Sequence, residues 1–150
     1  MKLAEALLLR ADQVKKLASL TSRISKNVML QEGETPQEEV SDLISQAFFV
    51  LTAYEENVAN INRVNQIAKL PDGRMLGAAL LERDTLKARH ALLIGAIAGT
   101  HKEVDRYSSR EIKWVPQIKV VTIQKQADDI SQNLRHLNVA IQAANWQIEI

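Results

Sequence analysis

Apolar side chains recur at intervals of three and four residues through four long stretches of the chain. The first runs Leu3, Leu7, Arg10, Val14, Leu17, Thr21, Ile24, Val28. The second runs Val40, Ile44, Ala47, Leu51, Tyr54, Val58, Ile61, Asn65, and the third Leu76, Leu80, Arg83, Lys87, His90, Ile94, Ile97, His101. The last runs Ile123, Ala127, Ile130, Leu134, Leu137, Ile141, Ala144. This spacing keeps one stripe of each helix toward a partner and favours crossing angles near 20°. A 24-residue helix is about 36 Å long, whereas a compact chain of this size has a radius of gyration near 15 Å. The pattern therefore predicts a mainly α fold: one domain over residues 1–150, an elongated four-helix bundle-like structure.

Breaks between the stripes carry their own chemistry. "TPQE" offers Thr35 as N-cap, Pro36 at the first helical position and Glu38 as capping-box partner. Glu38, Glu39 and Asp42 suit the positive end of that helix. "LPDGR" (70–74) reads as a turn, and Pro116 bars a helix through residues 112–118. Four short stretches alternate or read as extended: 27–31, 65–70, 110–115 and 146–150. A lone strand needs a partner, so these predict a few short β-strands at the bundle ends. Trp114 and Trp146 fall in two of them, where they either cap the apolar core or sit in a subunit contact.

Charge refines the picture. The 150 residues carry a net charge of +1, unevenly spread. Residues 1–30 hold an excess of Lys and Arg, while residues 31–60 hold seven acidic groups and no Lys or Arg. A basic first helix and an acidic second one attract when packed side by side. No dense basic run is interleaved with aromatics, so no nucleic-acid partner is expected. The absence of cysteine excludes disulfides and thiolate chemistry. The first residues lack a leader's unbroken apolar core. The longest apolar run, Ala91–Gly99, is far shorter than the ~20 residues that span a bilayer. A cytoplasmic location is the expectation.

Candidate chemistry is sparse. The polar stripe residues Arg10, Thr21, Asn65, Arg83, Lys87, His90 and His101 read either as drift to the edge of the buried face or as an interior polar site. The interior reading gathers Asn62, Asn65, Asp72, Arg74, Arg83, Asp84, Arg106, Tyr107, Glu111 and Lys113 into a candidate cluster for an anion or small molecule. Gly95 and Gly99 in "GAIAG", one turn apart, mark a close helix crossing within the subunit or with the next. Phosphate loops, G-x-S-x-G, H-E-x-x-H, the EF-hand and Glu-x-x-His are all missing. His90 and His101 stand about 16 Å apart along one helix, so no metal site is expected. His101 with Asp105 is the weaker alternative.

"MKLAEALLLRAD", "QEGE", "INRVNQ", "DGR", "ERD", "DRYSSREIKWVP", "KQADD" and "ANW" together resemble a bacterial family labelled septicolysin-like. The resemblance marks Asn62, Asn65, Asp72, Arg74, Arg83, Asp84, Arg106, Tyr107, Glu111, Lys113, Trp114, Asp128, Asp129 and Trp146 as motif positions without assigning roles. It implies a cytolysin, although a pore needs a long apolar helix or a closed barrel, and neither pattern is present. Three readings stand. The first is an oligomeric interaction or structural protein joined through its stripes. The second is a small-molecule- or anion-binding protein or enzyme using the polar cluster. The third is the membrane-acting cytolysin of the label.

Overall fold

The computed structural model describes residues 1–101 and 113–150. Four helices account for most of them: α1 (Leu3–Asn27), α2 (Val40–Ile67), α3 (Leu76–Ala98) and α4 (Val120–Gln147). They form two compact units. The first comprises Met1–Met75 with Gln142–Ile150, and the second Leu76–Ile141. Among the described residues no helix is long and apolar enough to cross a membrane.

In the first unit α1 and α2 form an antiparallel hairpin. Leu20, Leu43 and Val50 make its buried cluster, flanked by Leu17, Ile24 and Ala47. Each fully buried leucine contributes about 1.5–3 kcal/mol relative to exposure. The seam follows Leu3, Leu17 and Ile24 with Ala6, Gln13, Leu20 and Asn27 on α1. On α2 it follows Ala47, Tyr54 and Ile61 with Leu43, Val50, Asn57 and Val64. One column of each expected stripe is therefore correct. The other is displaced by one residue: Leu7, Val14 and Thr21 give way to Ala6, Gln13 and Leu20, while Ile44, Leu51 and Val58 give way to Leu43, Val50 and Asn57. One residue is 100° of helix, enough to move a side chain from the seam to its flank.

The hairpin is closed by side chains from α1. The Asn27 carboxamide oxygen accepts from the backbone N–H of Gln37 at 2.9 Å, and its Nδ2 donates to the Arg23 carbonyl at 3.0 Å. Arg23 grips Glu38 with Nε donating to Oε2 at 2.8 Å and Nη2 to Oε1. This corrects the expected cap. α2 begins only at Val40, its N-cap is Glu39, and Thr35, Pro36 and Glu38 all precede it. The backbone donors ahead of α2 are satisfied from α1, so the local capping box is not used. The pairing of Arg23 with Glu38 does join the basic segment to the acidic one, as the charge pattern predicts.

At the far end of α2 the "LPDGR" turn forms. Gly73 N–H donates to the Leu70 carbonyl at 2.9 Å, and Leu70 N–H to the Arg74 carbonyl at 2.8 Å. Gly73 has φ +87, a left-handed conformation that glycine adopts without steric cost. The chain termini meet in a similar way. Leu3 N–H donates to the Ile148 carbonyl at 2.9 Å and Ile150 N–H to the Met1 carbonyl at 3.0 Å. The Lys2 ammonium pairs with Glu149 at 2.9 Å.

The expected short strands are not formed among the described residues. The only β pairings there are isolated bridges, Lys2 with Glu149 and Lys69 with Met75. Asn27 ends α1, residues 65–67 complete α2, and Trp146 and Gln147 complete α4. Residues 113–115 are irregular, and residues 110–112 lie outside the described residues. Where a helix seam already satisfies the backbone, flanking residues have no strand partner to recruit.

These bridges expose an internal duplication. Lys69 with Met75 and Glu149 with Lys2 are similar bridges, the first across the turn between α2 and α3, the second between the two ends of the chain. The hydrogen bond from Leu70 to Arg74 corresponds to that from Ile150 to Met1. α2 and α4 have the same length, 28 residues. Leu3, Ala6, Leu7, Leu8 and Arg10 recur as Leu76, Ala79, Leu80, Leu81 and Arg83. Pro36, Gln37, Val40, Ala47, Ile61 and Asn65 recur as Pro116, Gln117, Val120, Ala127, Ile141 and Asn145. The chain is a tandem pair of helix–connection–helix repeats. Within the second unit Leu76, Ala79, Ala127, Leu137 and Ile141 are buried.

Candidate functional site

The one-residue displacement of the seam has a chemical consequence. Side chains expected in the core are left on one flank of the α1–α2 hairpin. In an antiparallel pair, the columns beside Leu17 on α1 and beside Ala47 on α2 lie on the same side. α1 presents Ala11, Val14, Ala18, Thr21 and Ser25 there, with Val28 just past its end. α2 presents Ser41, Ile44, Phe48 and Leu51. All are exposed, and Phe48 is 65% exposed. None is charged; Arg10 and Glu55 mark where the uncharged stretch ends. Two of its hydroxyls are engaged by their own helix. Thr21 Oγ1 donates to the Leu17 carbonyl at 2.9 Å, and Ser25 Oγ to the Thr21 carbonyl at 3.0 Å. The face thus presents hydrocarbon to solvent. The opposite flank carries Asp12, Lys16, Arg23, Asp42, Glu56 and Arg63, together with the exposed Leu9 and Phe49.

A buried polar lock lies in the seam beneath this face. Asn57 Nδ2 donates to the Ala6 carbonyl at 3.0 Å and to Gln13 Oε1 at 3.1 Å. Both side chains are buried, and among the described residues no buried side-chain polar atom lacks a partner. Such a pair opposes slippage, because any other register leaves an amide facing hydrocarbon. Sequence reasoning passed over Gln13 and Asn57 because they fall off the apolar columns. Their signal was their position three residues after Arg10 and Tyr54, where a seam requires an inward side chain.

Two local pairs form among the described members of the expected polar cluster. Asp72 accepts from Arg74 Nε at 2.9 Å and from its backbone N–H at 3.0 Å, so the guanidinium holds the Asp72 carboxyl below its ordinary range. Arg83 pairs with Asp84 at 2.9 Å on the surface of α3. Asn62 and Lys113 are exposed and Asn65 is half-buried. Arg106, Tyr107 and Glu111 lie outside the described residues, as does Asp105. Of the polar stripe residues, Arg10, Thr21, Lys87 and His101 are exposed, and Asn65, Arg83 and His90 half-buried. Among the described residues no group of acidic or histidine side chains is placed to hold a metal.

The tryptophans do not cap a core: Trp114 is 71% and Trp146 55% exposed. Among the described residues an added Cβ at Gly95 meets nothing within 4 Å, so no close crossing is found there. α3 ends at Ala98, so Gly99 follows the helix, and its nearest neighbours are the carbonyls of Ala96 and Gly95.

Among the described residues four helices, two of them paired as the α1–α2 hairpin, define a mainly helical protein. Over residues 10–150 the chain matches, and belongs to, the family described as a family of unknown function (DUF6847). It is similar along its whole length to a functionally unknown conserved protein from Corynebacterium diphtheriae, known from a crystal structure. The two are 32% identical with a TM-score of 0.91, and the match covers 100% of this chain and 98% of that one. No curated protein matches the chain. The family match overturns the resemblance to septicolysin-like proteins, and the cytolysin reading, which rested on that label, goes with it.

Proposed function

We propose that the chain is an interaction protein, a homo-oligomeric helical scaffold that works through the sides of its helices. The observation that carries this reading is the uncharged flank of the α1–α2 hairpin. On it Val14, Ile44, Phe48 and Leu51 are exposed with no charged residue among them, and contiguous exposed apolar side chains mark interaction sites. Leaving that much hydrocarbon in water is costly at about 25 cal/mol per Å², and a partner recovers it. The binding-site reading gains no comparable support, because Arg74 and Arg83 are each held by a neighbouring aspartate.

Sedimentation velocity across a hundredfold range of protein concentration tests the proposal, beside thermal melts with metals, nucleotides and anions. The expected result is a species heavier than the 16.8 kDa chain, a melting temperature that rises with protein concentration, and no ligand-induced shift. A species of single-chain mass at every concentration removes the homo-oligomeric reading. A shift of the size given by a ligand at a hundred times its dissociation constant, about 2.7 kcal/mol, favours the binding-site reading instead.

A further inference from the structure

We infer that Gln13 and Asn57 determine which helices pair. Their buried amides join α1 to α2 and keep each of these helices from pairing with a helix of the other repeat.

The need for such a device comes from the duplication. The alignment that carries Leu3 to Leu76 and Val40 to Val120 also carries Leu20, Ile24, Ala47 and Ile61 to Leu93, Ile97, Ala127 and Ile141. In the first repeat these four lie in or against the α1–α2 seam. In the second, each counterpart is buried or half-buried, and α3 with α4 as far as Ile141 makes one compact unit. Hydrocarbon alone does not tell such helices apart. α1 in the place of α3, or α3 in the place of α1, would bury the same side chains.

The amide pair breaks this equivalence. Under the same alignment Gln13 falls on Leu86 and Asn57 on Leu137, of which Leu137 is buried and Leu86 half-buried. In the α1–α2 seam Asn57 Nδ2 donates to Gln13 Oε1 at 3.1 Å. With α1 on α4, Gln13 would meet Leu137 and its oxygen would lose its donor. With α3 on α2, Leu86 would offer Asn57 no acceptor. An exchange of partners therefore leaves two amides short at once. Even at the lower end of the usual cost, that biases the chain toward the native pairing by about thirtyfold. A polar pair among apolar positions fixes partner and register in the same way in coiled coils.

Stability alone does not account for the pair. The second repeat fills the same two positions with leucine, so amides are not required there. What they add is a difference between the repeats, and only a chain with two like repeats has use for one.

Full-length chains refolded from urea and left to equilibrate test this by amide proton–nitrogen correlation spectra. Wild type is expected to give one set of backbone peaks. In Gln13→Leu with Asn57→Leu both repeats carry leucine pairs. A second set of peaks is expected there, its share raised about thirtyfold or more, with an unchanged far-ultraviolet helix signal. Adding Leu86→Gln and Leu137→Asn to that chain exchanges the pairs between the repeats, and is expected to return the spectrum to one set. A role confined to the stability of the first hairpin would not be rescued by changes in the second. One set of peaks in the leucine double variant overturns the proposal, and so does a second set that persists in the exchanged chain. If the exchanged chain does not fold, the leucine double variant decides alone.

Discussion

Asn57 reaches across the α1–α2 seam to Gln13, its Nδ2 donating to Oε1 at 3.1 Å and to the Ala6 carbonyl at 3.0 Å, with both side chains buried. The pair is stable because each amide answers the other, and it is vulnerable for the same reason. Truncation as Asn57→Ala strands the Gln13 oxygen, and an unmet buried acceptor costs about 1–3 kcal/mol. A lower urea midpoint at unchanged slope is the expected outcome. Replacing both residues, as Gln13→Leu with Asn57→Leu, removes the unmet group together with its partner. The double variant should recover most of the lost stability. If it is as unstable as the single variant, the amide pair is not what holds this part of the seam.

Leu20 tests the hydrocarbon part of the same seam. It is fully buried against Leu43 and Val50. The variant Leu20→Ala should lose about 2–5 kcal/mol through lost transfer energy and the cavity left behind. Leu8→Ala, at an exposed position of the same helix, should change stability by no more than about 0.5 kcal/mol. Chemical denaturation of the two variants side by side distinguishes seam from surface.

Half of each hairpin seam was legible in the sequence, and the residues that misled are specific. The columns through Leu3, Leu17 and Ile24 and through Ala47, Tyr54 and Ile61 were visible as apolar repeats. Their companions were misassigned because Leu7, Val14, Ile44 and Leu51 are better hydrophobes than Ala6, Gln13 and Asn57. A count of hydrophobicity cannot reward two amides that satisfy each other, nor an alanine whose value is its small size. The surplus hydrophobes became the exposed flank, so the error in reading the core and the candidate interaction face are one feature. The duplication was hidden because the connection between α3 and α4 is longer than that between α1 and α2. Leu3 therefore matches Leu76 and Val40 matches Val120 at different separations, and no single repeat length aligns both. The turn at 70–74 was fully legible, since Pro-Asp-Gly acts locally.

Acid should weaken the fold in a defined direction. The Arg23 guanidinium beside Glu38 holds that carboxyl below the usual glutamate range, and Lys2 does the same to Glu149. Asp72 is lowered by Arg74. A carboxyl whose folded value is depressed contributes stability above its unfolded value, near 4. That contribution is lost as pH falls through the lower, folded value. Melting temperature should therefore be level from neutral pH to about 5 and fall below that. In Glu38→Gln the acid-side fall should be shallower than in wild type. Identical acid limbs for the two proteins would show that the Arg23–Glu38 pair adds nothing to folding.

Two glycines should answer the same substitution with opposite signs. Gly73 has φ +87 and nothing within 4 Å of an added Cβ, so only its backbone conformation resists a side chain. In Gly73→Ala that conformation costs about 1–2 kcal/mol, and the melting temperature should drop. Gly95 also has nothing within 4 Å, but it lies inside α3. In Gly95→Ala the added methyl raises helix propensity by about 0.8–1.0 kcal/mol, and the melting temperature should rise. The second variant also carries information about assembly. If Gly95 lies at a close crossing with another copy, a methyl there lowers both stability and sedimenting mass. A rise in melting temperature with unchanged mass places Gly95 outside any contact between copies.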